Sequence, residues 1–151
     1  MKGDDLTKKE FERIMVPVDG SDIAKKAAKK AIFLAKSTGI KAVAMYVVDI
    51  PYLPASYECP DEIPYIQVHQ LLEDRGNSYL EEIEKLGKKM GVNVSKKIVD
   101  GHPAEEIIKE AKKNDLVVIG SKGTTALDRL LMGSVAENVV HHAPCTVMVV
   151  K

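Results

Sequence analysis

Short runs rich in β-branched residues alternate along the chain with longer stretches in which apolar residues recur every three or four positions. That alternation predicts parallel strands joined by crossover helices. Strands are expected at Arg13 to Val18, Lys41 to Val48, Val92 to Val99, Leu116 to Gly120 and Thr146 to Val150. Between the first two, Ser21 or Asp22 is placed to cap a helix. Its Ala24, Ala27, Ala28, Ala31, Ile32 and Ala35 form one stripe, closed by Gly39. A second helical run, from about Pro64 to Met90, puts Val68, Leu72, Tyr79, Ile83, Leu86 and Met90 on one side. Gly76 interrupts it at a cost of ~1 kcal/mol relative to alanine, so one bent helix or two short ones are expected there.

A third helix starts after His102-Pro103 and carries Ala104, Ile107, Ile108 and Ala111; proline is harmless at a helix start, where its missing N–H has no partner to lose. A fourth starts near Gly133-Ser134 and carries Val135, Val139 and Val140. Crossovers between parallel strands are right-handed, so this order of elements fits an α/β fold with an open, doubly wound five-stranded parallel sheet. The simplest strand order is 3-2-1-4-5, with helices on both faces. Ligands of such sheets bind outside the carboxyl ends of the strands at the switch point, here between strands 1 and 4. The residues just after Val18 and Ile119 are therefore where chemistry is expected.

At 151 residues with 45% hydrophobic content, one domain with a real core is expected: a polar extension over residues 1–12, then a single α/β domain over 13–151. Lys plus Arg and Asp plus Glu each number 22, and no run of five like charges marks a polyanion-binding tail, so nucleic acid is not expected as a partner. The apolar runs fall far below the ~20 residues of a bilayer-spanning helix. The N-terminus, polar and mixed in charge, lacks the pattern of a secretory signal; a cytoplasmic protein without membrane contact is expected. Cys59 and Cys145 have neither metal-ligand spacing nor a C-x-x-C arrangement.

After the fourth strand the chain reads Gly120-Ser121-Lys122-Gly123, then nine residues, then Gly133-Ser134: G-x-x-G-x9-G-S. Gly120 and Gly123 would let backbone amides approach a phosphate, while Gly133, Ser134 and Val135 present a helix N-terminus with unpaired donors and a favourable dipole. The same residues also read plainly as a strand end, a turn and a helix cap; their joint placement at the switch point favours phosphate. A Walker A motif is excluded because Lys122 precedes Gly123, and G-x-G-x-x-G is absent. After the first strand, Asp19 could accept from a ribose hydroxyl or help hold a phosphate-bound Mg²⁺, or else cap the first helix. The second strand ends Tyr46-Val47-Val48-Asp49, where a backbone amide and carbonyl could read the edge of a flat base.

These residues resemble the universal stress protein family from Arg13 to Lys151. The most specific element is the glycine loop, supported by VPVDGS, MYVVD, GHPAEEI and the closing PCTVMVVK. The resemblance implies the doubly wound, adenine nucleotide alpha hydrolase-like fold. In ATP-binding members it implies that Pro17, Val18 and Asp19 line the adenosine end and that Val47 meets adenine. Ile119, Gly120, Ser121, Lys122, Gly123 and Thr124, with Gly133, Ser134 and Val135, would surround ribose and phosphates. ATP, ADP or AMP is the implied ligand, with Mg²⁺ or Mn²⁺ on the phosphates and Asp19 as the metal-side carboxylate.

The segment from Pro51 to Tyr65 holds four prolines and three tyrosines and reads as a lid, an interaction surface or an ordinary excursion. His141 and His142 near a helix C-terminus read as partners of its carbonyls and dipole rather than metal ligands. Asp19 and Lys122 stand near the loop without an obvious catalytic base, so slow hydrolysis at most is expected, with the nucleotide acting as a switch. The apolar last strand, Thr146 to Val150, would leave an exposed edge that a second copy can cover, and a homodimer is expected. An ATP-hydrolysing or adenylyl-transferring enzyme and a nucleotide-free interaction module are the alternatives.

Overall fold

The computed structural model describes residues 10–49, 65–123 and 131–151. Within them the chain runs β1 (Arg13–Pro17), α1 (Asp22–Thr38), β2 (Lys41–Val48), α2 (Tyr65–Lys89), β3 (Val94–Asp100), α3 (Pro103–Glu110), β4 (Asp115–Gly120), α4 (Ser134–His142) and β5 (Thr146–Val150). All strand pairs are parallel, in the order β3-β2-β1-β4-β5. This is the doubly wound sheet expected from the pattern, with the switch point between β1 and β4.

Alternation along the strands divides the core in two. Ile14, Val16, Ala44, Tyr46 and Val118 face α1 and α2, whereas Met15, Met45, Val47, Val117 and Ile119 face α3 and α4. The alanine stripe of α1 is entirely buried, which brings that helix close to the sheet. Ser21 caps α1 by accepting from the Ala24 amide, and Gly39, at φ +68°, ends it in the left-handed conformation.

Some features differ from expectation for visible reasons. β1 stops at Pro17, although the Val18 amide still donates to Met45 O at 2.8 Å. β3 begins at Val94 because Gly91 turns at φ +79° and the Val92 amide is spent on Gly87 O at the end of α2. α2 runs unbroken through Gly76 for 25 residues, one helix rather than two short ones. A Cβ on Gly76 would overlap the Tyr46 ring; the glycine is there for close approach, not to break the helix. Leu80, four residues on, is the most buried side chain of α2 and was missing from the expected face.

At the amino ends of β1 and β4, Arg13 forks onto Asp115, with Nη2 to Oδ2 at 2.5 Å and Nε to Oδ1 at 3.1 Å. It also donates to Glu110, which accepts from Lys97 at 2.5 Å. Asp115 is buried at 2% exposure and accepts from the Lys112 amide as well. This polar knot ties β1, β3, β4 and α3 together at the edge of the sheet opposite the switch-point crevice.

The sheet edges differ in character. β3 exposes Ser95 and Lys96, whereas β5 reads TVMVV with Thr146 and Met148 exposed. Val140 on α4 and Leu131 and Met132 just before it are exposed too, so Val140 does not join the core as expected. Among the described residues no helix is long and apolar enough to cross a membrane.

Candidate functional site

The carboxyl ends of β1 and β4 carry the two unusual sequences into one crevice. Past Val18, Oδ1 of Asp19 accepts from the Ser21 amide at 2.9 Å, a tight turn that Gly20 permits by taking φ +85°. Gly120 ends β4 where a Cβ would come within 2.6 Å of Ile23 and 3.3 Å of the Ala24 amide, so its bareness admits the first turn of α1.

Beyond it, Ser121 donates its amide to Val150 O at 2.8 Å, and its carbonyl accepts from Gly133 N at 2.7 Å. The second bond pinches the base of the glycine loop and brings its two ends, Gly120–Gly123 and Gly133, side by side. Gly123 crosses directly over Asp19. A Cβ on Gly123 would stand 2.8 Å from Oδ2, and one on Gly133 would stand 3.3 Å from the Lys122 backbone.

Gly133, not Ser134, is the N-cap of α4, and no side chain caps this helix. The amides of Ser134, Val135 and Ala136 have no partner inside the helix. They add donors and the positive end of the helix dipole to the same crevice.

The crevice is a cavity of about 610 Å³, within the size range of small-molecule sites. Pro17, Val18 and Asp19, then Val47, then Ile119 and Gly120, then Lys122 and Gly123, and finally Gly133, Ser134 and Val135 all line it. Ser121 does not: it is buried, and its backbone is committed to closing the loop. Thr124 and most of the Pro51 to Tyr65 segment, including Cys59, lie outside the described residues.

Sequence reasoning missed several walls. Met45 and Asp49 flank Val47 at the two-residue spacing that puts strand residues on one face, a signal that was available. Pro103 and Ile107 of α3 and Ala24 of α1 enter only through the three-dimensional packing. Tyr46 also lines the cavity; burial pushes its hydroxyl up from the usual range, with the neighbouring Tyr79 adding to the effect. The two rings lie 6.0 Å apart at 54°.

Among the described wall residues, two carboxylates (Asp19, Asp49) face one ammonium (Lys122). Among these described residues, oriented amides and the helix dipole add to the attraction that Lys122 offers an anion. At the rim, His102 lies 3.7 Å from Asp49, and at α4 the His142 ring meets the Asn138 carbonyl at 3.0 Å. Among the described residues no three His, Cys, Asp or Glu side chains stand close enough to hold a metal ion by themselves.

The profile of the universal stress protein family matches residues 10–151. The chain belongs to the universal stress protein family. A universal stress protein of Methanocaldococcus jannaschii is 40% identical over 144 residues, covering 93% of this chain and 82% of that protein. One from Methanothermobacter thermautotrophicus is 33% identical over 147 residues, covering 93% and 96%.

Among solved structures, universal stress protein UspA from Lactobacillus plantarum matches with a TM-score of 0.79 at 28% identity, over 95% of this chain and 100% of that one. A universal stress protein family protein from Arabidopsis thaliana, with AMP bound, matches with a TM-score of 0.65 at 23% identity, over 92% and 90%. That from Archaeoglobus fulgidus, in complex with dAMP, matches with a TM-score of 0.63 at 21% identity, over 95% and 100%. At these last two identities the likeness is one of fold.

Proposed function

We propose that this universal stress protein binds ATP, or a close relative such as ADP or AMP, and acts as a nucleotide-dependent switch with slow or no hydrolysis. One observation carries the reading: the glycine loop and the uncapped start of α4 converge on a single cavity of about 610 Å³, directly above the Asp19 carboxylate. A flat base fits between β2 and α3, where Val47 offers backbone groups and Met45 and Ile107 offer apolar surface. The phosphates fit against the backbone of Gly120, Lys122 and Gly123 and the amides of Ser134 and Val135. Proteins of this fold solved with AMP and dAMP make an adenine nucleotide the natural first candidate.

A phosphate-borne Mg²⁺ or Mn²⁺ suits this wall better than a resident ion. Asp19 supplies a hard oxygen at the loop, and the phosphates and water would have to supply the rest of the coordination. Bound there, the ion would neutralise phosphate charge alongside Lys122.

We further infer a homodimer through β5, supported by the exposed apolar edge at Met148 and by its neighbours Val140, Leu131 and Met132.

Mass spectrometry of small molecules released on denaturing the purified protein tests the nucleotide reading. Stoichiometric adenine nucleotide, lost in Gly123→Val, is expected. No bound nucleotide, together with no heat on titrating ATP in the presence of Mg²⁺, would remove the reading in favour of a nucleotide-free interaction module.

A further inference from the structure

Two aromatic rings stand where two glycine side chains would be. A Cβ on Gly20 would stand 2.2 Å from Cζ of Tyr79, and a Cβ on Gly76 would stand 2.2 Å from Cδ1 of Tyr46. Gly76 and Tyr79 are three residues apart on α2 and so share a face. The helix sends one ring down onto the turn after β1, and β2 sends the other up into the helix. The rings meet each other at 6.0 Å. This interlock is separate from the bulk packing of α2, which Leu80 and Ile83 provide.

Its position matters because Gly20 lies between Asp19 and Ser21, the two ends of the hydrogen bond that orients the Asp19 carboxylate. A glycine at φ +85° has many alternative conformations of similar energy, so the turn needs something besides its own backbone to stay in one of them. The atoms of Tyr79 nearest to Gly20 are Cζ and the two Cε atoms, the far end of the ring. They fill the space into which the turn would otherwise move.

We propose that Tyr79 is a positioning residue for Asp19: seated on Gly20 and braced by Tyr46, its ring holds the turn so that the carboxylate stays under Gly123 and faces the cavity. Leucine at 79 would bury a similar apolar stem yet fall short of Gly20, whereas phenylalanine would keep the contact. The consequence for affinity rests on the nucleotide reading of the cavity; the consequence for the turn does not.

Nuclear magnetic resonance on the full chain without nucleotide tests the turn. In the wild type and in Tyr79→Phe, ring current should shift the Gly20 Hα signals upfield and the Ser21 amide should exchange slowly. In Tyr79→Leu the shift should vanish and Ser21 exchange should rise about tenfold, as expected for a local opening made easier. A Ser21 amide equally protected in Tyr79→Leu would overturn the proposal whether or not nucleotide binds. Should Tyr79→Leu fail to fold, Tyr46→Leu, which withdraws the brace, should loosen Ser21 in the same sense; unchanged exchange there would overturn it equally.

Calorimetric titration with ATP and Mg²⁺ adds the link to the site. Tyr79→Leu should weaken binding about tenfold and Tyr79→Phe by less than about twofold, and Tyr79→Leu should cost nothing further in an Asp19→Ala background. Losses that simply add would show that Tyr79 acts elsewhere and would overturn the link. A wild type that binds no nucleotide would instead defeat the nucleotide reading and leave the exchange result to decide on Tyr79.

Discussion

The Asp19 carboxylate lies beneath Gly123 so closely that a single added carbon on the glycine would come within 2.8 Å of Oδ2. Gly123 is not among the glycines at positive φ, so alanine could adopt its backbone without strain; what it lacks is room. Gly123→Ala should therefore leave the unfolding midpoint nearly unchanged while weakening nucleotide binding about tenfold through displacement of Asp19. In an Asp19→Ala background the same substitution should cost much less, because the obstructing oxygen is gone. Calorimetric titration of the four proteins checks this, and strictly additive losses would show that Gly123 serves the phosphates without reference to Asp19.

Gly76 makes the opposite prediction to the one helix propensity gives. Alanine is the better helix former by ~1 kcal/mol, yet a Cβ here would overlap the Tyr46 ring. Overpacking of this kind costs ~2 kcal/mol, so Gly76→Ala should destabilise the protein in urea by about 1 kcal/mol net. Combined with Tyr46→Ala, which empties the space, Gly76→Ala should become neutral or stabilising.

The same glycine shows where reading the sequence stopped short. The strands, their order and the alanine face of α1 were legible because alternation with a period of two or of three to four residues is set by burial against one sheet. Gly76 was read as an interruption because propensity is a local property, while the ring that requires it is thirty residues away on β2. The crevice was legible for a related reason: Asp19 and the loop glycines sit immediately after strand ends, and the switch-point rule needs only strand order. Met45 and Asp49 followed from the spacing around Val47 but were not drawn out. Pro103 and Ile107 could not be, since nothing local indicates which part of α3 overhangs the sheet. Gly123 was read as a phosphate approach or a plain turn; that it also clears Asp19 depends on a contact between residues 104 positions apart.

The β5 edge gives a prediction about assembly. Met148, at 37% exposure, sits mid-strand on an edge that carries no charged side chain between Thr146 and Val150, unlike the lysine-bearing edge at β3. Met148→Asp should convert a dimer into monomers in sedimentation velocity while leaving the circular dichroism spectrum unchanged. A wild type that sediments as a monomer at micromolar concentration would refute the dimer, and a dimer that survives the substitution would place its interface elsewhere.

At the amino ends of the inner strands β1 and β4, Arg13 supplies the last prediction. Asp115 is nearly inaccessible and receives two guanidinium bonds and a backbone amide, so Asp115→Ala should cost about 3 kcal/mol by leaving Arg13 poorly paired. Glu110 allows the pH dependence to be worked out. Burial pushes its carboxyl up, but hydrogen bonds from Lys97 and Arg13 and their positive charge outweigh that and hold it below the usual carboxylate range. A carboxyl whose folded value is depressed binds its proton more readily in the unfolded chain. Its contribution is therefore complete above the unfolded value of about 4.3 and is lost as the pH falls through the lower folded value. Glu110→Gln should thus cost about 1.5 kcal/mol at pH 7, and the gap from wild type should close below about pH 4. Urea unfolding of both proteins across that range checks it. A gap that persists undiminished in acid would mean that Glu110 acts through packing rather than through its charge.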